Sequence, residues 1–113
     1  MKRHVIIYVN DIIESIEHIE SFLKGVTKKS FNENIEKQSA VMRQLEIIGE
    51  AVKNVPIEIT NAYQDVPWKD IAGLRDIMIH SYFRIDIGKV WNILKEDLPV
   101  LKQKILQIKR DLH

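Results

Sequence analysis

The chain has 113 residues, enough for one domain and too few for two ordinary ones, so residues 1–113 read as one domain. Hydrophobic residues at 45% and charged residues at 29% describe a folded chain, not a disordered one, while 17 basic against 16 acidic side chains leave a net charge of +1, without the basic excess common in nucleic-acid binders. Cysteine is absent, which excludes disulfides, a thiol nucleophile and a cysteine-built zinc site, and no apolar run approaches the length of a membrane span or a signal peptide, so a cytoplasmic protein with no membrane association is expected.

In chain order, Val5, Val9, Ile12, Ile16, Ile19 and Leu23 recur at spacings of three and four, with Ile6, Ile13 and Phe22 widening the stripe. This predicts a helix with one broad buried face from about Val5 to Lys24, ended near Gly25. Ser30 stands three residues before Glu33, a capping-box spacing, so a second helix is expected to begin there. It would run about 25 residues as the spine of a bundle, with Ile35, Met42, Leu45, Ile48, Val52 and Val55 inward and Pro56 at its end. Residues 56–66 suit one or two helical turns. Pro67 reads as the first residue of a third helix, with Asp65 or Val66 near the cap, running through Ile71, Leu74, Met78 and Ile79 toward Ser81 or Tyr82. Gly73 inside it costs helix propensity, which a close helix–helix approach would explain. Asp86 is a plausible cap for a fourth helix carrying Val90, Trp91, Leu94 and Leu98. Asp97 and Pro99 suggest a break or a fresh start before Leu101, Ile105, Ile108 and Leu112. The fold class expected is all-α: an up-and-down helical bundle of four main helices with a short additional helix between the second and third.

The chemistry concentrates in Arg75-Asp-Ile-Met-Ile-His80-Ser-Tyr82. A lone histidine among apolar neighbours is ordinarily a hydrogen-bonded structural residue. Arg75 lies five residues before His80, about 140° around an ideal helix, but its long arm can reach around. Tyr82 returns to the arginine's side if the helix continues. A permanent cation, a titrating imidazole and a phenol thus fall in a small region. Such a set suits cleavage of RNA: a neutral His80 takes the proton of a ribose 2′-hydroxyl, and Arg75 holds the phosphate and stabilises the charge building on its oxygens. The product would be a 2′,3′-cyclic phosphate. The leaving 5′-oxygen also needs a proton, which one histidine cannot supply at the same moment, so a second subunit's His80 or a water is required.

This stretch resembles the arginine, four-residue spacer, histidine, spacer, tyrosine signature of the HEPN superfamily, and closely that of its HepT group, the toxin half of a toxin–antitoxin pair. Trp68-Lys-Asp-Ile-Ala-Gly-Leu-Arg-Asp76 before the histidine, Tyr82-Phe83 after it, and the block Arg43-Gln-Leu-Glu-Ile-Ile-Gly-Glu-Ala-Val-Lys53 are similar to that group too. The resemblance implies a helical bundle that forms a homodimer, with the two catalytic segments facing each other in one cleft, and a metal-independent endoribonuclease needing no cofactor. It implies Arg75 and His80 as the catalytic pair. It also implies Tyr82 as the tyrosine that a partner, a minimal MntA-like nucleotidyltransferase antitoxin, modifies with AMP groups. The added bulk and negative charge would repel RNA and compete for Arg75.

Other candidates have plainer alternatives. Glu46 and Glu50, four apart on one helix, either line a polar groove or face solvent beside Lys53 and Arg43; the resemblance raises Glu46 as a partner behind the site. Asp76 either orients the site or only solubilises it. Lys69, Arg84 and Lys89 either touch the RNA backbone or are surface charges. Lys102, Lys104, Lys109 and Arg110 make the last helix basic, which suits a helix C-terminus without any ligand. His4, His18 and His113 are too scattered for a zinc site, Trp68 and Trp91 read as core or interface anchors, and Met42 and Met78 stand at core spacing. Two other functions compete with the nuclease: a non-catalytic interaction subunit that binds a nucleotidyltransferase, and a domain that binds nucleotide.

Overall fold

The structure is a computed structural model that describes residues 2–80 and 85–112, with the side chains of Lys2, Arg3 and His80 left out of account. Helix α1 (Lys2–Phe22) buries the expected stripe of Val5, Val9, Ile12, Ile16 and Ile19, and Leu23, in the turn just after it, is buried too. Its chain reverses at Gly25, whose φ of +71° lies in the left-handed region that glycine enters without a Cβ penalty.

The long second helix is in fact two. Helix α2 (Lys28–Glu33) ends at Asn34 and α3 (Ile35–Lys53) restarts there. The capping box belongs to Thr27 and Ser30, not to Ser30 and Glu33: the Ser30 N–H donates to Thr27 Oγ1, and the Thr27 N–H donates to Ser30 Oγ. Asn34 closes one helix and opens the next. Its N–H donates to the Phe31 carbonyl and its Oδ1 accepts from the Lys37 N–H at 2.9 Å. Gln38, buried on α3, stitches the joint by donating from Nε2 to the carbonyls of Phe31 at 2.8 Å and Asn32 at 3.1 Å. Ile35, expected inside, falls on the first turn after this break and is 74% exposed.

Helix α4 (Ile57–Ala62) is the short additional helix. Helix α5 (Trp68–His80) starts directly after Pro67, whose carbonyl accepts from the Ile71 N–H. Ile71 and Met78 are its buried residues, Leu74 is half-buried, and Ile79 is exposed where the core was expected. After residue 84 comes α6 (Ile87–Asn92), capped as expected by Asp86, which accepts from the Lys89 N–H. The chain does not break at Asp97 and Pro99. A π-helical turn, Ile93–Asp97, joins α6 to α7 (Leu98–Asp111), with the Leu98 N–H donating to the Ile93 carbonyl five residues back. Proline has no N–H and its ring crowds the carbonyl four residues earlier, and a widened turn accommodates both without ending the helix.

The architecture is therefore an all-α bundle whose four main rods are α1, α3, α5 and the continuous α6–α7. Helix α3 is the spine, packed on α1 and α5, while α1 also packs on α7 and α2 on α6. Phe31 and Trp91 seal that last contact with ring centroids 5.3 Å apart, and Lys95 lies 4.8 Å over the Trp91 ring. Trp68 anchors the start of α5 by donating from Nε1 to the Tyr63 carbonyl. Two lysines of α7 are tied down within the fold: Lys102 pairs with Glu20 of α1 at 2.8 Å, and Lys104 with Asp65 at 2.7 Å. Among the described residues, no helix is long and apolar enough to cross a membrane.

Candidate functional site

Arg75 sits in the middle of α5, on the side that faces α3. The contact is close because position 49 on α3 is glycine: a Cβ there would stand 2.6 Å from the Arg75 backbone nitrogen and 2.9 Å from its Cβ. Real side chains do not approach backbone that closely, so only glycine fits. Gly73, expected to mark a close approach, has nothing within 4 Å of an added Cβ. Both glycines interrupt helical patterns, but the crossing falls on Gly49.

That approach brings the acids of α3 to Arg75. Glu50 Oε2 accepts from Arg75 Nε at 2.9 Å, and Asp76 Oδ1 accepts from Nη1 at 3.0 Å. Glu46 does not bond Arg75; it pairs with Arg43 at 3.0 Å and acts on Arg75 only through its field. The guanidinium is held above its ordinary, already high pKa, first by the hydrogen bond to Asp76 and then by attraction to Glu50, Asp76 and Glu46, against a burial effect of opposite sign. Arg75 is thus a permanent cation, held by Asp76 on its own helix and by Glu50 on α3. A cavity of about 270 Å³ opens beside the pair, lined by Tyr8 of α1, Arg43, Glu46, Glu50 and Asn54 of α3, and Arg75.

Among the residues singled out from the sequence, then, the structure brings together Arg75, Asp76, Glu46 and Glu50, with Glu50 the direct partner across the helices and Arg43 on the cavity wall. It adds Tyr8 of α1, which no sequence pattern pointed to. The four-residue spacing of Glu46 and Glu50 placed both acids on one face but not against a particular partner. Lys69 is not in this group; it is exposed and lines a separate hollow with Trp68 and Asp70. His80 ends α5, five positions beyond Arg75 and so about 7.5 Å further along the axis, and its side chain lies outside the described residues. Tyr82 and Arg84 also lie outside the described residues. Among the described residues, no group of three or more histidines or acids is placed to hold a metal ion.

A chemical use of this geometry is anion binding. A guanidinium carries five N–H donors, of which two are occupied here, and the rest can take a phosphate in bidentate fashion.

Comparison with known proteins agrees on one family. A family model described as "Ribonuclease HepT-like" matches residues 12–108. The chain is 41% identical over 110 residues to a protein of Thermococcus cleftensis named "Probable ribonuclease HepT", covering 97% of this chain and 100% of that one. It is 46% identical over 112 residues to a protein of Methanocaldococcus jannaschii named "Gamma-glutamylcyclotransferase and putative RNase", covering 99% of this chain but only 50% of the relative, so the chain spans half that protein's length. A further M. jannaschii protein, named "Putative RNase", is 40% identical over 104 residues, covering 92% of this chain and 95% of its own. No solved structure matches the chain.

Proposed function

Because the chain belongs to the HepT-like ribonuclease family, we propose that it is a metal-independent RNA endonuclease, active as a homodimer in the cytoplasm and serving as the toxin of a toxin–antitoxin pair. The observation that carries this is the family match over residues 12–108, which takes in the whole Arg75, His80, Tyr82 set. The fixed cation at Arg75 supports it. Relatives that align over nearly their whole length are named as ribonucleases, so the ribonuclease part of the half-covered relative's name is the part carried over, and the cyclotransferase part is not.

In the proposed reaction His80 removes the proton of a ribose 2′-hydroxyl, and the freed oxygen attacks the adjacent phosphorus. The O2′–P bond forms, the P–O5′ bond breaks, and a 2′,3′-cyclic phosphate remains. Arg75 neutralises the charge that builds on the non-bridging oxygens. The departing 5′-oxygen takes its proton from His80 of the second subunit or from water. DNA lacks the nucleophile and is not cut by this route. A cognate MntA-like nucleotidyltransferase binds the protein and places AMP on Tyr82, putting negative charge where RNA phosphates would otherwise come to Arg75.

The test is cleavage of single-stranded RNA by wild type, Arg75→Ala, His80→Ala and Tyr82→Phe, with the intact mass of each preparation measured. Cleavage lost with Arg75 or His80 and kept with Tyr82→Phe is expected. A wild type free of modification that leaves RNA intact, yet still binds a nucleotidyltransferase, would instead favour the non-catalytic interaction subunit.

A further inference from the structure

The Arg75 guanidinium is gripped at two of its three nitrogens by carboxylates on two different helices. Asp76 is its neighbour in the chain, so its 3.0 Å bond to Nη1 arises within α5. Glu50 is different: it reaches from α3 and accepts from Nε at 2.9 Å. One such bond leaves the planar group free to swivel about it, whereas two at separate nitrogens fix the plane and its direction. Among the described residues, no hydrogen bond or ion pair takes Nη2.

We propose that Glu50 is a positioning residue for Arg75, holding Nε so that Nη2 and the remaining N–H of Nη1 present a bidentate face to an RNA phosphodiester. The consequence for cleavage rests on the ribonuclease function proposed above; the grip itself does not. Two features set this apart from a competing anion or a stabilising ion pair. The end-on face of the guanidinium, formed by one N–H each of Nη1 and Nη2, is not the one Glu50 uses, so phosphate binding does not require its departure. The pair is also well hydrated, with side-chain exposures of 35% for Arg75 and 54% for Glu50, a setting in which ion pairs add little to folding stability. Loss of Glu50 therefore appears in the chemistry, not in the melting temperature.

The experiment compares full-length wild type, Glu50→Ala and Glu50→Gln by kcat and KM on single-stranded RNA, by thermal unfolding, and by the arginine Nε–H resonances in nitrogen-15 spectra, with Arg75→Ala assigning the signal. Glu50→Ala is expected to lower kcat about 10- to 100-fold, the scale of a misplaced catalytic group. KM should stay within about threefold and the unfolding temperature should not change. Glu50→Gln is expected to restore kcat to within about fivefold, because its carboxamide oxygen accepts the same bond. The Arg75 Nε–H signal should be slow to exchange in wild type and in Glu50→Gln, and lost in Glu50→Ala. An Arg75 signal unchanged in Glu50→Ala, a kcat equal to or above wild type, or a glutamine variant as slow as the alanine one overturns the proposal. If wild type cuts no RNA while the Nε–H signal still follows this pattern, the grip stands and the ribonuclease function falls.

Discussion

Gly49 and Arg75 meet backbone to backbone: a Cβ on the glycine would come within 2.6 Å of the arginine's amide nitrogen. The contact draws α3 onto α5 at the residue with the greatest chemical potential, and it sets Glu50 one position along from that crossing. A packing feature and a site feature are here the same feature.

Replacing Gly49 with alanine should destabilise the fold. Overpacking against rigid backbone costs about 1–3 kcal/mol, and the helix propensity gained returns up to about 1 kcal/mol. A net loss of about 1–2 kcal/mol is expected in urea unfolding, with a weakened Arg75 Nε–H signal because Glu50 is pushed away. Unchanged stability would mean that α3 and α5 do not cross here.

Gly73→Ala should do the opposite. Nothing lies within 4 Å of the added Cβ, and the position is inside a helix. The expected gain is about 0.5–1 kcal/mol, from backbone entropy alone. Equal destabilisation by both alanines would erase the distinction drawn between the two glycines.

That distinction also marks how far the sequence could be read. The inward stripe of α1 was legible because period 3.6 is a local property, and Val5 through Leu23 are buried as the spacing required. Which glycine lies at a crossing is a relation between two helices, and nothing within either helix records it. The joint at Asn34 hid for a similar reason. Asparagine, flanked by helical residues, reads as helix interior, and what stabilises the bend is Gln38 reaching back over a turn to the carbonyls of Phe31 and Asn32. Arg75 and Asp76 could be named from one segment. Glu50 could be placed on a polar face with Glu46, but its pairing with Arg75 needed the packing of α3 on α5. For His80 and Tyr82 the resemblance remains the only guide, since they fall outside the described side chains.

Gln38→Leu should open the α2–α3 joint. Leucine keeps the volume but removes two hydrogen bonds, and the Asn32 carbonyl loses the side-chain donor that now reaches it at 3.1 Å. A buried polar group left unpaired costs about 1–3 kcal/mol. The loss should show in denaturant unfolding, with hydrogen exchange speeding up first in residues 28–37. Wild-type stability would show the joint to be held by Asn34 alone.

The pH response should include one identifiable phenol. Tyr63 donates to Asp111 at 2.7 Å, and its pKa is raised, chiefly by that hydrogen bond, then by burial and by the carboxylate's charge. A raised folded value means that the contact's stabilisation is fully present below the ordinary phenol value of about 10. It is then lost as pH climbs through the folded value. Phenolate absorbance should therefore show a late-titrating tyrosine that disappears in Tyr63→Phe and titrates earlier in Asp111→Asn. An Asp111→Asn titration identical to wild type would disprove the link.

The last substitution separates charge from shape at the site. Arg75→Lys keeps the positive charge, but an ammonium is a point donor on a flexible stem and cannot hold Glu50, Asp76 and a phosphate in one plane. If charge alone mattered, the lysine variant would cut RNA nearly as well as wild type. If the fixed fork matters, kcat should fall about 100-fold, the scale of losing one preorganised donor to the developing oxyanion. RNA binding at low salt should weaken far less, since the attraction to phosphate survives. Parallel measurement of cleavage and of RNA affinity decides between these. A lysine variant that retains full cleavage would make the geometry at Glu50 and Asp76 irrelevant to the reaction.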